Sequence, residues 1–303
     1  MSSARLSPRG LAAGVAAFSI WGLFPIYLHG LRAVPSLQVI AHRISWSCLF
    51  LLALMAFRGE LGRLAAVLAK PKLLSRLVLS ALLISCNWLV YVWSVANGHV
   101  IDSSLGYYIN PLVNVVLGVL VLRERLTAVQ CIAVGLAALA VLYLGVLAGR
   151  PPWIALTLAM SFSLYGLVRK VISVDALPGL ATETLLLLPV AAGYLIWCQV
   201  HGSGALTSSG PAVAALLVGC GLVTAVPLFL FAYSARLLPY STVGVLQYIG
   251  PSLQLLCGVL FLNESFPPKL ALGFALIWLA LLIYAVEGVW RARASAVRAA
   301  AVA

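Results

Sequence analysis

The sequence predicts an all-α polytopic membrane protein with ten transmembrane helices in two inverted five-helix repeats. Three observations predict it: an apolar composition, a one-sided distribution of basic residues, and a match between the two halves of the chain. Of 303 residues 63% are hydrophobic and only 9% charged, with a mean hydropathy of +1.10. Soluble domains carry about 25% charged residues, so this chain is composed for a bilayer. At about 20 residues per spanning helix the length holds about ten spans with short connections, leaving no stretch for a further soluble domain of about 100 residues. Nucleotide-hydrolysing domains are thereby excluded. The six cysteines, Cys48, Cys86, Cys131, Cys198, Cys220 and Cys257, fall in apolar runs without CxxC spacing. They read as small core hydrophobes, with no disulfide framework, metal or cofactor implied.

In chain order the apolar runs are residues 10–28, 37–57, 77–96, 105–122 and 128–147, then 153–168, 180–200, 212–231, 243–262 and 270–288. The first five define a repeat over 1–147, and the second five a repeat over 148–303 that ends in a short tail. Placing the amino terminus in the cytoplasm puts 15 Lys and Arg on the inner side and 3 (Arg32, Arg150 and Lys269) on the outer side, with Arg43 inside the second span. Basic residues set orientation in this sense, so ten spans with both termini in the cytoplasm follow, in the inner membrane. The same asymmetry accounts for the net charge of +12 without a nucleic-acid partner.

The halves match when the chain is laid on itself. An offset of 140 pairs Tyr108, Ile109, Pro111, Gly118, Val119, Leu120, Leu122 and Glu124 with Tyr248, Ile249, Pro251, Gly258, Val259, Leu260, Leu262 and Glu264. An offset of 144 pairs Phe18–Leu23 with Phe162–Leu167. A repeat of five spans is odd, so its two copies cross the membrane in opposite senses, related by a pseudo-twofold axis in the membrane plane.

FSIWGLFPIY at Phe18–Tyr27, AHRISWS at Ala41–Ser47, the run Asn87–Leu126, SFSLYGLVRK at Ser161–Lys170, GLATETLLLLP at Gly179–Pro189 and LQYIG at Leu246–Gly250 carry a resemblance. Together they resemble the EamA-type drug/metabolite transporter superfamily, most closely its RarD-like branch, nearly end to end. The resemblance implies two inverted five-helix repeats around a central cavity. It further implies ATP-independent transport of small metabolites by alternating access, amino-acid exporters of the YddG type being similar members. RarD-like proteins carry a glutamate four residues before the His of the AHR motif, where this chain has Gln38.

Polar side chains within spans are costly, so their clustering on helical faces marks either a cavity or inter-helix glue. Asn87, Tyr91 and Ser94 share one face of the third span; Tyr107, Asn110 and Asn114 share one in the fourth; Gln247, Gly250 and Gln254 repeat that spacing in the ninth. Asn114 and Gln254, related by the repeat, are the pair expected to line a substrate path near the midplane. Trp21, Trp88 and Tyr165 lie nearer mid-span, where rings either pack the core or stack on a substrate, and Ser163 and Tyr248 join them in the matched segments. Pro111 and Pro251 each remove a helical hydrogen bond, which suits a hinge or a static kink.

Arg43 and His42 sit some six residues into the second span, and Glu183 near the start of the seventh. Inversion puts Arg43 and Glu183 at opposite depths, so they are not expected to pair. Arg43 is a snorkelling cation or a carboxylate anchor; Glu183 is a proton carrier or an acidic residue favoured by a helix amino terminus.

The partners expected are a small-molecule substrate and the lipid bilayer, with the protein a monomer. An amino acid suits a cavity of amides, hydroxyls and rings with little fixed charge, and non-amino-acid drugs or metabolites are the alternative. The enzymatic rival, a hydrolase or acyltransferase using His42 with Ser45 or Ser47, lacks a GxSxG turn, and the chain has no GxxxxGK[ST] loop or HExxH site. A passive pore lacks repeated charge rings. The topology predicts that a cysteine replacing Ser203 reacts with an impermeant thiol reagent in intact cells while one replacing Gly62 does not. The opposite pattern would invert the assignment.

Overall fold

A computed structural model describes residues 7–122, 127–147, 151–172, 174–237, 246–280, 282–283 and 286–287. Among these the chain is helical throughout, with no strand. Helix α1 (Pro8–His29) starts at Ser7, whose hydroxyl accepts the Gly10 N–H at 3.2 Å, with Pro8 at the first helical position, where its missing N–H costs nothing. Then come α2 (Ser36–Phe57), α3 (Leu61–Leu68), α4 (Pro71–Ala96), α5 (Val100–Leu122), α6 (Ala128–Leu147) and α7 (Trp153–Val171). They are followed by α8 (Ala176–Val200), α9 (Ala205–Ser208), α10 (Pro211–Leu237), α11 (Ile249–Leu256) and α12 (Pro268–Ala280). A π-helical turn, Cys257–Phe261, extends α11.

Among the described residues six helices are long and apolar enough to cross a membrane: α1, α2, α4, α6, α8 and the Pro211–Phe231 part of α10. A 22-residue helix such as α1 is about 33 Å long, against about 30 Å of hydrocarbon. Segments Trp153–Arg169, Ile249–Phe261 and α12 are shorter apolar helices. Large apolar side chains remain exposed around the outside, Phe57 at 92% and Val146 at 82% among them. That suits a chain whose surroundings are lipid rather than water, since lipid gives no reason to bury them.

The structure departs from the sequence expectations in three places. Helix α4 begins at Pro71, so Lys72 and Arg76 fall within the helix that carries the expected third span, in its first two turns. Helices α3 and α9 were not foreseen, being one or two turns long and too short to show a periodicity. The expected ninth span is broken: Gln247 and Tyr248 form a turn and α11 starts only at Ile249, so Gln247 does not share a helical face with Gly250 and Gln254.

The helices pack in an exchanged pattern. α1 lies against α10 and α11, α7 lies against α4 and α5, and α2 packs on α8 as α5 does on α11. α2 and α8 run antiparallel. At one end the Gln38 amide holds the Ser203 carbonyl and the Ala205 N–H, both at 2.8 Å; at the other Arg63 lies 3.9 Å from Asp175.

Small residues bring backbones together: a Cβ on Gly106 of α5 would sit 2.8 Å from the Ala155 carbonyl of α7, and one on Gly221 of α10 2.7 Å from the Trp46 carbonyl of α2. Asn263, in the left-handed region at φ 53°, turns the chain so that Glu264 accepts the Val100 and Ile101 N–H groups at 2.7 and 2.9 Å. This carboxylate satisfies two of the orphan donors that begin α5 and sits where the helix dipole favours an anion. Gly106→Ala and Gly221→Ala should each lower thermal stability in detergent by about 1–3 kcal/mol through overpacking against backbone that cannot yield. Gly135→Ala, with no atom within 4 Å, should leave it unchanged or slightly raised; equal effects at all three sites would refute the close-approach account.

Candidate functional site

Two charges are buried among the central helices, and each is held by a hydroxyl from the other half of the chain. Arg43 of α2 is 5% exposed, and its Nε donates to Thr224 Oγ1 of α10 at 2.9 Å. Its guanidinium lies 4.3 Å from the centre of the Trp88 ring of α4 and 4.9 Å from that of Phe24 of α1. Nη1 is buried with no hydrogen-bond partner, and no carboxylate pairs with Arg43 among the described residues.

Glu183 of α8 is 1% exposed and far better supplied. Ser80 of α4 donates to it at 2.6 Å, the Tyr165 hydroxyl of α7 donates at 3.4 Å, and Arg169 Nη1 of α7 stands 3.5 Å away. Gly179 makes room for that arginine, since a Cβ there would lie 1.9 Å from Nη1. Because α2 and α8 are antiparallel and each charge lies about two turns into its helix, Arg43 and Glu183 are displaced toward opposite ends of the bundle and do not pair. Glu183 is not an acidic cap: it lies two turns into α8, whose first turn has no acidic residue, and its partners are side chains rather than the helix dipole.

The two charges are joined by a succession of rings. Tyr27 and Phe24 stack at 5.8 Å, Phe24 and Tyr91 at 6.0 Å, and Tyr91 meets Tyr107 edge-on at 5.7 Å. Tyr107 meets Phe162 at 6.2 Å, and Phe162 meets Tyr165 at 5.9 Å, which reaches Glu183. The spacings are those of ordinary aromatic pairs. Tyr27 closes the first end by donating its hydroxyl to the Leu216 carbonyl of α10. The Tyr91 hydroxyl, on a side chain only 3% exposed, has no partner.

Several of the sequence-predicted polar residues join helices. Asn87 donates to the Leu158 carbonyl and Ser161 Oγ of α7, both at 3.0 Å, and accepts the Tyr107 hydroxyl at 3.2 Å. Ser163 donates to Asn110 Oδ1, leaving Asn110 Nδ2 buried and unpartnered. Ser94 is spent on the Tyr91 carbonyl. Gln254 donates to the Trp21 carbonyl at 3.3 Å with its Oε1 unpartnered, and Trp21 packs on Phe18 and Phe231. Gln247 and Tyr248 are half-buried in the turn before α11. Pro251 falls in the first turn of α11 and breaks no interior hydrogen bond there; the Gln247 carbonyl is taken by the Gly250 N–H at 3.3 Å. The side chains of Asn114 and Pro111 lie outside the described residues, as does Glu124.

His42 is buried with Nδ1 unpartnered, beside a cavity of about 320 Å³ between α2 and α8 lined in part by Gln38, Ser45 and Trp46. No hydrogen bond joins His42 to Ser45 or Ser47, whose hydroxyls also lack partners, so no nucleophile is paired with a base. Gln38 both donates and accepts, which an ionised carboxylate could not do, and an amide carries no titratable proton. Reading from sequence missed Ser80, Thr224, Arg169 and Phe24. The signal was present for the first two: Ser80 and Thr224 are related by the 144-residue offset, as Arg43 and Glu183 are by 140.

Residues 8–146 match the model of the EamA-like transporter family. The chain is 44% identical to protein RarD of Streptomyces exfoliatus, over 97% of this chain and 93% of that protein. It is also 44% identical to an uncharacterized transporter of Pseudomonas aeruginosa, over 96% and 97% of the two chains. A solved crystal structure of a protein 18% identical superposes with a TM-score of 0.60, covering 92% of this chain and 96% of the other, which shows a shared fold.

The Glu183 cluster makes a quantitative prediction. Removing one member of a buried pair strands the other charge, at a cost of about 3–5 kcal/mol. Arg169→Met should approach the lower end of that range, and Glu183→Gln should cost less because Arg169 is partly exposed and can turn to water. The double variant should then melt above Arg169→Met. Additive losses in a double-mutant cycle by thermal unfolding would show that the two side chains do not act as a pair.

Proposed function

This chain belongs to the EamA-like transporter family, in its RarD-like branch, and we propose that it is a secondary carrier exporting small metabolites, amino acids first, by alternating access. It is a multi-pass membrane transporter; the finer reading rests on its two end clusters. Arg43 with Thr224 and Glu183 with Ser80 are equivalent contacts under the repeat offsets, each made between the second helix of one repeat and the third of the other. That exchange, and the matching exchange in helix packing, is what two inverted five-helix repeats produce.

Equivalent contacts at opposite ends of one path supply what alternating access requires. Opening one end parts α2 from α10 and opening the other parts α8 from α4, while the rings between them stay within one bundle. A hydrogen bond to a charged group contributes about 1.5–3 kcal/mol, so exchanging one for the other leaves the two states within a few kcal/mol. Preferential substrate binding can shift such a balance. The gathering of Arg58, Arg63, Lys70, Lys72 and Arg169 at the Glu183 end supports a cytoplasmic side there. The path between carries hydroxyls, amides and rings, which suits a zwitterion or a neutral molecule better than a phosphate. Trp88 at Arg43, Tyr107 in the succession of rings and Tyr165 at Glu183 lie along this path, while Trp21 and Gln254 pack together between α1 and α11.

Proteoliposomes containing only the purified protein should accumulate or exchange labelled amino acids without nucleotide, above empty vesicles. If drug-like neutral compounds cross and amino acids do not, the carrier stands and the amino-acid assignment fails.

A further inference from the structure

We infer that Arg43 is the anchor for a carboxylate group on the transported molecule, so that the carrier takes carboxylate-bearing substrates in preference to analogues in which that group is a neutral amide. This rests on the carrier reading and adds the chemical class of its substrate. The starting observation is an inequality between two equivalent sites. Moving a charged side chain out of water costs several kcal/mol unless partners replace the water. Glu183 has an arginine and two hydroxyls around it, whereas Arg43 has one hydroxyl, from Thr224, and the faces of two rings. Under the 144-residue offset Arg169 corresponds to Pro25, so the helix that supplies the counter-ion in the second half offers none in the first.

What surrounds Arg43 leaves its edge unspent. Trp88 and Phe24 offer ring faces, which attract a cation but accept no in-plane hydrogen bond, and Tyr91, Tyr107 and Cys220 are the ionisable groups near enough to interact with it electrostatically. None is an acid of the carboxylate kind. Nη1 of Arg43 and the hydroxyl of Tyr91 are both buried and both without partners, and both side chains pack on the same Phe24 ring. Two unspent donors beside one uncompensated cation specify an anion with in-plane acceptor oxygens. A carboxylate is planar, carries one charge and pairs with the guanidinium edge. A dianionic phosphate would call for a second cation, and Arg169, the other arginine drawn in among these helices, is paired with Glu183 at the far end. The rings around the site suit an apolar substrate body.

The test uses the purified full-length protein and four probes: L-leucine, L-phenylalanine and the amide of each. Thermal-shift titrations should show the two acids stabilising the protein with at least about a tenfold preference over their amides, the margin expected of a charge-assisted hydrogen bond. Arg43→Gln should abolish that preference. Should that variant not fold, Arg43→Lys, which keeps the charge but loses the planar fork, should reduce the preference several-fold while still binding. Equal binding of acid and amide, an unchanged preference in the folded variants, or no stabilisation by any acid would overturn the inference. Uptake of the labelled probes into proteoliposomes separates the two levels: acid and amide crossing equally sinks the carboxylate anchor and leaves the carrier, whereas no probe crossing sinks the carrier reading for these compounds.

Discussion

Neither lipid nor a packed apolar interior offers hydrogen bonds, so each polar group placed among these helices has to be met by another part of the protein. That constraint decides how the central helices pack. Arg43 ties α2 to α10 and Glu183 ties α8 to α4 across the halves of the chain, while Arg169 ties Glu183 to α7 within the second half. Each charge thus has one contact from the other half of the chain. Parting α2 from α10 or α8 from α4 would break these contacts.

Smaller polar groups show how the same constraint divides fixed structure from unspent capacity. Asn87 has every part of its amide engaged with α7 and Tyr107, and Ser94 is spent on its own helix. Such residues join or stiffen helices. Arg43, Tyr91, Asn110 and Gln254 each keep one buried atom unmatched, which costs about 1–3 kcal/mol per group where water is excluded. His42, Ser45, Trp46, Ser47, Arg169 and Ser234 also keep a buried atom unmatched, but Arg43 and Tyr91 hold theirs on side chains packed on the same Phe24 ring, where one visiting group meets both.

Much of the fold was legible in the sequence because lipid imposes simple rules: spans appear as apolar runs, and basic residues gather at one end. The site was legible in part. Asn87, Tyr91 and Tyr107 were found from helical spacing, but spacing could not tell that Asn87 is fully engaged while Tyr91 is not. Arg169 was missed as a partner because it reads as a loop cation; only the approach of α7 to α8, with Gly179 clearing the way, turns it inward. Gln247 was misplaced because helical spacing was extended through a segment where the chain turns.

By itself the sequence determined that this is a polytopic helical membrane protein, and its repeat offset related Arg43 to Glu183; the spacing between Ser80 and Thr224 was there but passed unread. These properties are written in local composition and in one-dimensional spacing, which a sequence carries directly. The tertiary structure alone decided that the related residues meet across the halves rather than within them. It also decided that one buried charge is neutralised and the other is not. Those outcomes depend on which faces of distant helices come within about 3 Å of each other, a distance set by small residues such as Gly106, Gly179 and Gly221 acting together and visible in no single segment.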